Sequence, residues 1–174
     1  MLYQEWREKT NELIEEEKWD EAIATLKGAY ENDSQDPDIY MMLMSVLFRS
    51  GRIDDAVTLY SQFPPDLQQT DEGQRWGVMV QFAQRMQSGP DIQTIQADLA
   101  QDSTNVEALE NLAAFLMVAG QHAQACDVYL RIMQIGGDHF EPAKETLIAI
   151  FKVLEKLNPT VANDYRRKMM TLLV

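Results

Sequence analysis

The side chains of this 174-residue chain that could carry covalent chemistry are few, and one pair stands out. His122 and Cys126 lie four apart, which in a helix sets an imidazole and a thiol on one face, the arrangement in which a base activates a sulfur nucleophile. Both positions also belong to an apolar helical stripe, where cysteine behaves as a small hydrophobe. The packing reading is adopted: a core pair and no catalytic residue. The other histidine, His139, falls in an expected connection, and Cys126 is the single cysteine, so no tetrahedral nitrogen and sulfur set for a metal is expected. One cysteine also excludes an internal disulfide, which fits a reducing, cytoplasmic compartment. Glu15-Glu-Glu17 reads as a solvated helix end. No glycine-rich phosphate loop follows a strand, so no cofactor is expected. Binding, rather than catalysis, is the activity to look for.

Composition sets the elements that would position a binding surface. Hydrophobic residues make up 45% of the chain, too many for disorder, while 8 glycines and 6 prolines are too few for a turn-rich β fold. Long helices are the expectation. The 28 acidic and 15 basic side chains give a net charge of −13, which argues against nucleic acid or an anionic membrane as partner. The charge is uneven: net −8 over residues 1–55, −7 over 56–139 and +2 over 140–174. No apolar run reaches the roughly 18 residues of a membrane span, and the opening Met1-Leu-Tyr-Gln-Glu-Trp6 lacks the features of a signal peptide, so a soluble cytoplasmic protein is expected.

Spacing then reveals a repeat. Trp19-Asp-Glu-Ala22-Ile-Ala-Thr-Leu26-Lys-Gly-Ala29 aligns with Ile53-Asp-Asp-Ala56-Val-Thr-Leu-Tyr60-Ser-Gln-Phe63, an offset of 34 residues from Ala22 to Ala56. A third copy, Gly120 to Ile132 around Ala125, lies 69 residues further on, about twice the period, so a degenerate unit is expected between them. A helix, a turn and a second helix every 34 residues resemble the tetratricopeptide repeat. Tyr40, Leu43, Leu47 and Gly51 fall at its large, large, large and glycine positions, and Leu109, Leu112, Ala113, Leu116 and Gly120 do so again. In the first copy Trp6 and Leu13 fit, but Glu17 replaces the glycine. The small Ala22, Ala56 and Ala125 would let the paired helices approach closely.

Ten helices follow, near 2–16, 19–32, 37–49, 53–63, 72–87, 91–101, 105–118, 122–134, 140–157 and 160–173. Asp36-Pro37 and Asn158-Pro159 supply starts, and Asp138 with Glu141 resembles a capping box. The expected fold is all-α, a right-handed superhelix of tetratricopeptide-like helix pairs. One helical-repeat domain, 1–174, is expected, with units near 3–36, 37–70, a degenerate 71–104, 105–138 and a terminal helix pair 139–174.

The repeat resemblance implies that first helices line a concave groove. Its candidate residues are Arg7, Asn11 and Ile14; then Asp38, Met41, Met42, Ser45, Phe48 and Arg49; then Glu110, Asn111, Ala114 and Met117. Arg7 with Asn11 resembles half of a clamp for a partner's terminal carboxylate, but Met42 stands where a second amide is needed, so the clamp is incomplete. Met41, Met42 and Phe48 either pack against the neighbouring repeat or the C-terminal helices, or offer a deformable apolar surface. The last helix is the second candidate: Tyr165, Arg166, Arg167, Met169, Met170 and Leu173 join cations to apolar residues, as in a helix that caps the final repeat or in one that docks in a partner's groove.

A more specific resemblance rests on several segments in order: Trp19-Asp-Glu-Ala-Ile-Ala-Thr-Leu26, Gly51-Arg-Ile-Asp-Asp-Ala56, Phe63-Pro64-Pro65, Gln74-Arg-Trp-Gly77, Asp91-Ile-Gln-Thr-Ile-Gln-Ala-Asp-Leu-Ala100 and Tyr165-Arg-Arg-Lys-Met-Met-Thr-Leu-Leu173. Over residues 12–174 the chain resembles the C-terminal repeat region of the bacterial thioredoxin-like co-chaperone family called chaperedoxin or YbbN. That resemblance implies a non-catalytic module contacting chaperone machinery and unfolded clients, with a thioredoxin-like domain ahead of the repeats. These 174 residues hold no Cys-x-x-Cys, so the redox chemistry does not carry over, and a module of a longer protein is expected. The alternative is a repeat scaffold of a bacterial assembly or secretion complex.

Overall fold

The computed structural model describes residues 3–173. Among these, eleven α-helices form: α1 Tyr3–Glu15, α2 Trp19–Asn32, α3 Pro37–Arg49, α4 Ile53–Ser61, α5 Pro65–Gln69, α6 Asp71–Ser88, α7 Ile92–Gln101, α8 Val106–Val118, α9 His122–Ile135, α10 Phe140–Leu157 and α11 Pro159–Met170, with a 3-10 turn at Gly137–His139 before α10. No strand occurs among the described residues, and the all-α helical-repeat reading holds. The backbone forms two compact units, residues 1–76 and 77–174, with the boundary inside α6.

In the first unit α1 packs on α2, α2 on α3 and α3 on α4. Each helix turns its apolar stripe inward: Trp6 and Leu13 of α1, Ala22, Ile23 and Leu26 of α2, and Ile39, Leu43, Met44 and Leu47 of α3 are all buried. Ala22 and Ala56 are fully buried, consistent with the close approach their small size permits. In the second unit α7 packs on α8, α8 on α9, α9 on α10, and α11 lies against α10 and α9. Ala113, Ala125, Ile132, Leu147 and Ile150 have no exposed surface.

The corner between paired helices is built the same way three times. Gly51 and Gly120 both have φ +76, and each opens a turn in which its own N–H meets the carbonyl three back and the next N–H reaches five back: Arg52 to Leu47 and Gln121 to Leu116. Glu17 takes the same left-handed conformation at φ 55, with Lys18 bonded to the Leu13 carbonyl. The repeat geometry therefore overrides the side chain at position 17, at a cost that glycine avoids.

Several boundaries differ from the sequence expectation. α4 ends at Ser61 and α11 at Met170, both three or fewer residues early. The helix α5 lay in an expected connection: it is one turn long, started by Pro65 at its first position, and pinned by buried Leu67. Five residues are too few to show a period. Gly73 answers to α5, because a Cβ there would stand 2.0 Å from the Leu67 carbonyl oxygen. The capping box expected from Asp138 and Glu141 does not form; Asp138 sits in the 3-10 turn, and α10 starts without a side-chain cap. Asp36 and Asn158 do cap α3 and α11, accepting from the N–H groups of Asp38 and Val161.

Candidate functional site

The reactive pair resolves first. Cys126 is fully buried, and burial followed by the neighbouring Asp127 charge pushes its thiol up to about 12. At neutral pH it is a thiol, not a thiolate, and no substrate reaches it. Burial holds the His122 imidazole below its ordinary value; one ring N–H donates to the Met117 carbonyl, while Nε2 is buried without a hydrogen-bond partner. His122 thereby ties α9 to the end of α8, and Cys126 lies buried on α9 beside Tyr165 and Lys168 of α11. Among the described residues no three of His, Cys, Asp and Glu stand together as a metal set. Nor is any helix among them long and apolar enough to cross a membrane.

Six groove candidates of the first unit lie on α3 and three on α1. The inward face of α3 carries Ile39, Tyr40, Leu43, Met44, Val46 and Leu47; the adjacent face carries Met41, Met42, Ser45 and Phe48, all half-buried. The Phe48 ring stacks on Trp76 with centroids 5.3 Å apart and planes inclined by 26°. Arg49 is exposed and lies over the Trp19 ring at 5.2 Å. On α1, Arg7 is ion-paired with Asp38 of α3 and also flanks the Trp6 ring, while Asn11 is exposed and Ile14 half-buried. Any carboxylate captured by Arg7 must therefore compete with Asp38.

The second unit treats its candidates differently. Met117 and Ala114 have no exposed surface and belong to the core. Asn111 is 8% exposed, and its Oδ1 accepts from Arg85 Nε at 2.9 Å; Arg85 also pairs with Glu110 at 2.9 Å. Arg85 thus ties α6 to α8 through the Glu110 carboxylate and the Asn111 carbonyl oxygen. A register carried over from α3 fails here because each helix buries six of its thirteen residues but on different faces: α8 buries Asn111, Ala114 and Met117, where α3 leaves Met42, Ser45 and Phe48 half-buried.

Five of the six C-terminal candidates lie on α11 and divide by face, and Leu173 follows just beyond its end. Tyr165 and Met169 are buried against the unit, and the Tyr165 phenol bonds to the Asp127 carboxylate. Arg166 is ion-paired with Glu155 and lies over the Phe151 ring. Only Arg167, Met170 and Leu173 point outward, Met170 being 58% exposed; Lys168, between Asp127 and the Tyr165 ring, completes that edge. The helix is thus stapled to the unit. Removing residues 165–174 would strip core side chains as well as an outer edge.

Trp76 is the partner that spacing did not supply. The short α5 breaks the 34-residue count just before it, so no register assigned it a face. Spacing also does not supply an aromatic cluster drawn from separate helices: Tyr40 meets Tyr30 at 5.7 Å and Phe63 at 5.2 Å, edge to face, and burial with the nearby Tyr30 pushes its phenol up to about 12.

Paired helices with glycine corners, stacked by small buried alanines, define a helical-repeat protein. Two family profiles, both described as tetratricopeptide repeat, match residues 85–173 and 13–75, the first alone spanning just over half of the sequence. The chain belongs to the tetratricopeptide repeat family, whose repeats mediate protein–protein interactions. No curated protein matches the sequence. A crystal structure of a domain of the protein VP0806, of unknown function, from Vibrio parahaemolyticus RIMD 2210633 is similar at 18% identity and a TM-score of 0.43, over 98% of this chain and 99% of that one.

Proposed function

We propose that the chain is a non-catalytic, cytoplasmic interaction module that brings chaperone machinery and unfolded clients together, as the repeat region of a thioredoxin-like co-chaperone does. The observation that carries the reading is the α3 face: a tetratricopeptide helix with its stripe of two thioethers and a stacked phenylalanine left half-exposed, a surface that adapts to varied apolar segments. The ordered set of segments from Trp19 to Leu173 that resembles the co-chaperone family adds the partner class. The buried Cys126 supports a binding role over a thiol enzyme.

Affinity capture from a bacterial lysate, with the chain immobilised and a Met41→Gln, Met42→Gln double variant as control, tests the assignment. Chaperone components retained by the parent and lost from the variant are the expected outcome. Retention of an envelope or secretion assembly instead would replace this reading with that of a scaffold subunit.

A further inference from the structure

Charge selects what the α3 face can take. The first unit carries 17 acidic against 7 basic side chains, a net −10. Four of those cations already hold a carboxylate inside the unit: Arg7 with Asp38, Lys18 with Glu16, Arg52 with Asp20 and Arg75 with Glu72. A fifth, Arg49, lies over the Trp19 ring. An incoming carboxylate therefore approaches a field of its own sign, and the arginine that the repeat register offers it is engaged by Asp38. An incoming cation is drawn by the same field. The face itself suits a mixed cationic and apolar ligand, since thioethers accept varied apolar side chains and the faces of Trp76 and Phe48 carry the negative part of the ring quadrupole.

We propose that the α3 face of the first unit, formed by Met41, Met42, Ser45 and the Phe48–Trp76 stack, docks a polypeptide segment that alternates apolar with lysine or arginine side chains. Apolar groups lie on the methionines, and cations rest against the aromatic rings and the surrounding carboxylates. This deepens the interaction-module reading and rests on it. An acidic terminal tail is the occupant it excludes.

Two labelled synthetic peptides distinguish these occupants: one alternating lysine with leucine and phenylalanine, and a twin with every lysine replaced by glutamate. Fluorescence anisotropy against the full chain should show the basic peptide bound at least about tenfold more tightly, the advantage shrinking at high salt as screening removes the steering field. The Met41→Gln, Met42→Gln double variant should weaken it about tenfold with circular dichroism unchanged. Ser45→Lys, which sets a like charge on the same stripe without touching the core face, should weaken it about fivefold. Equal or tighter binding of the glutamate twin overturns the inference while leaving an interaction module standing. So does basic-peptide binding that neither variant disturbs. Failure of both peptides to bind also overturns it, and the lysate capture above then judges the broader reading by itself.

Discussion

The two compact units are built from the same helix pair and use it for opposite purposes. The first, at net −10, leaves a thioether and aromatic stripe of α3 half-exposed and commits most of its cations to internal pairs. The second carries 11 acidic and 8 basic side chains, close to balance, and draws its groove candidates Met117 and Asn111 into the core. Its Cys126 is packed away with them, while His122 is half-buried with its Nε2 atom enclosed. Equal repeat positions thus do not have equal exposure. What a position contributes depends on which face of the helix its neighbours cover, and α8 and α3, each with six of thirteen residues buried, are covered on different faces.

The largest effect that would test this contrast is in the second core. Leu147, fully buried at the centre of α10, should cost about 3 kcal/mol on truncation to alanine, read by urea unfolding, with hydrogen exchange accelerating first in α9 and α10. Equal acceleration in α1 to α3 would dissolve the distinction between the units. Next comes Gly73→Ala in the first unit, where the added Cβ meets the Leu67 carbonyl; about 2 kcal/mol should be lost, with faster exchange at α5 and the start of α6. A loss of less than a few tenths would mean that α5 yields freely.

The corners sharpen the comparison further. Gly51→Ala and Gly120→Ala should each cost about 1 kcal/mol, whereas Glu17→Gly should gain about 0.5 kcal/mol, because all three positions hold a positive φ and only the first two have the residue suited to it. Thermal unfolding that moved in the same direction for all three would refute the shared corner. The smallest effect is in pH. Both histidines lie in the second unit, and burial lowers the imidazole of His122 in the fold, so the unfolded chain takes up that proton first. Stability from this group is complete above the ordinary value of 6.5 and falls as the pH drops below it. His122→Gln should flatten that slope between neutral and mildly acidic pH, and an unchanged slope would assign it to other groups.

Much of the architecture was legible because the repeat writes it redundantly. Ala22, Ala56 and Ala125 fix the second helices, Gly51 and Gly120 fix the corners, and Asp36-Pro37 and Asn158-Pro159 fix two starts; each signal is local and agrees with the 34-residue count. Even the misfit at Glu17 pointed to its place, since the backbone there keeps the form of the other corners. α5 was not legible, being a single turn. The Asp138 cap failed because Gly136 and Gly137, both at positive φ, bend the chain into a 3-10 turn before α10 begins.

The candidate surfaces were legible only in part. Spacing placed Met41, Met42, Ser45 and Phe48 on one stripe, and that stripe exists. It could not show that Arg7 is held by Asp38, that Asn111 is held by Arg85, or that Tyr165 and Met169 face inward. Periodicity assigns a residue to a side of its own helix, because 3.6 residues per turn is a property of one backbone. The sequence by itself determined the helix pairs, their corners, and the uneven charge that sets the first unit apart. Which side of each helix remained available was decided only by tertiary structure, because burial and ion pairing depend on atoms that residues distant in the chain bring together.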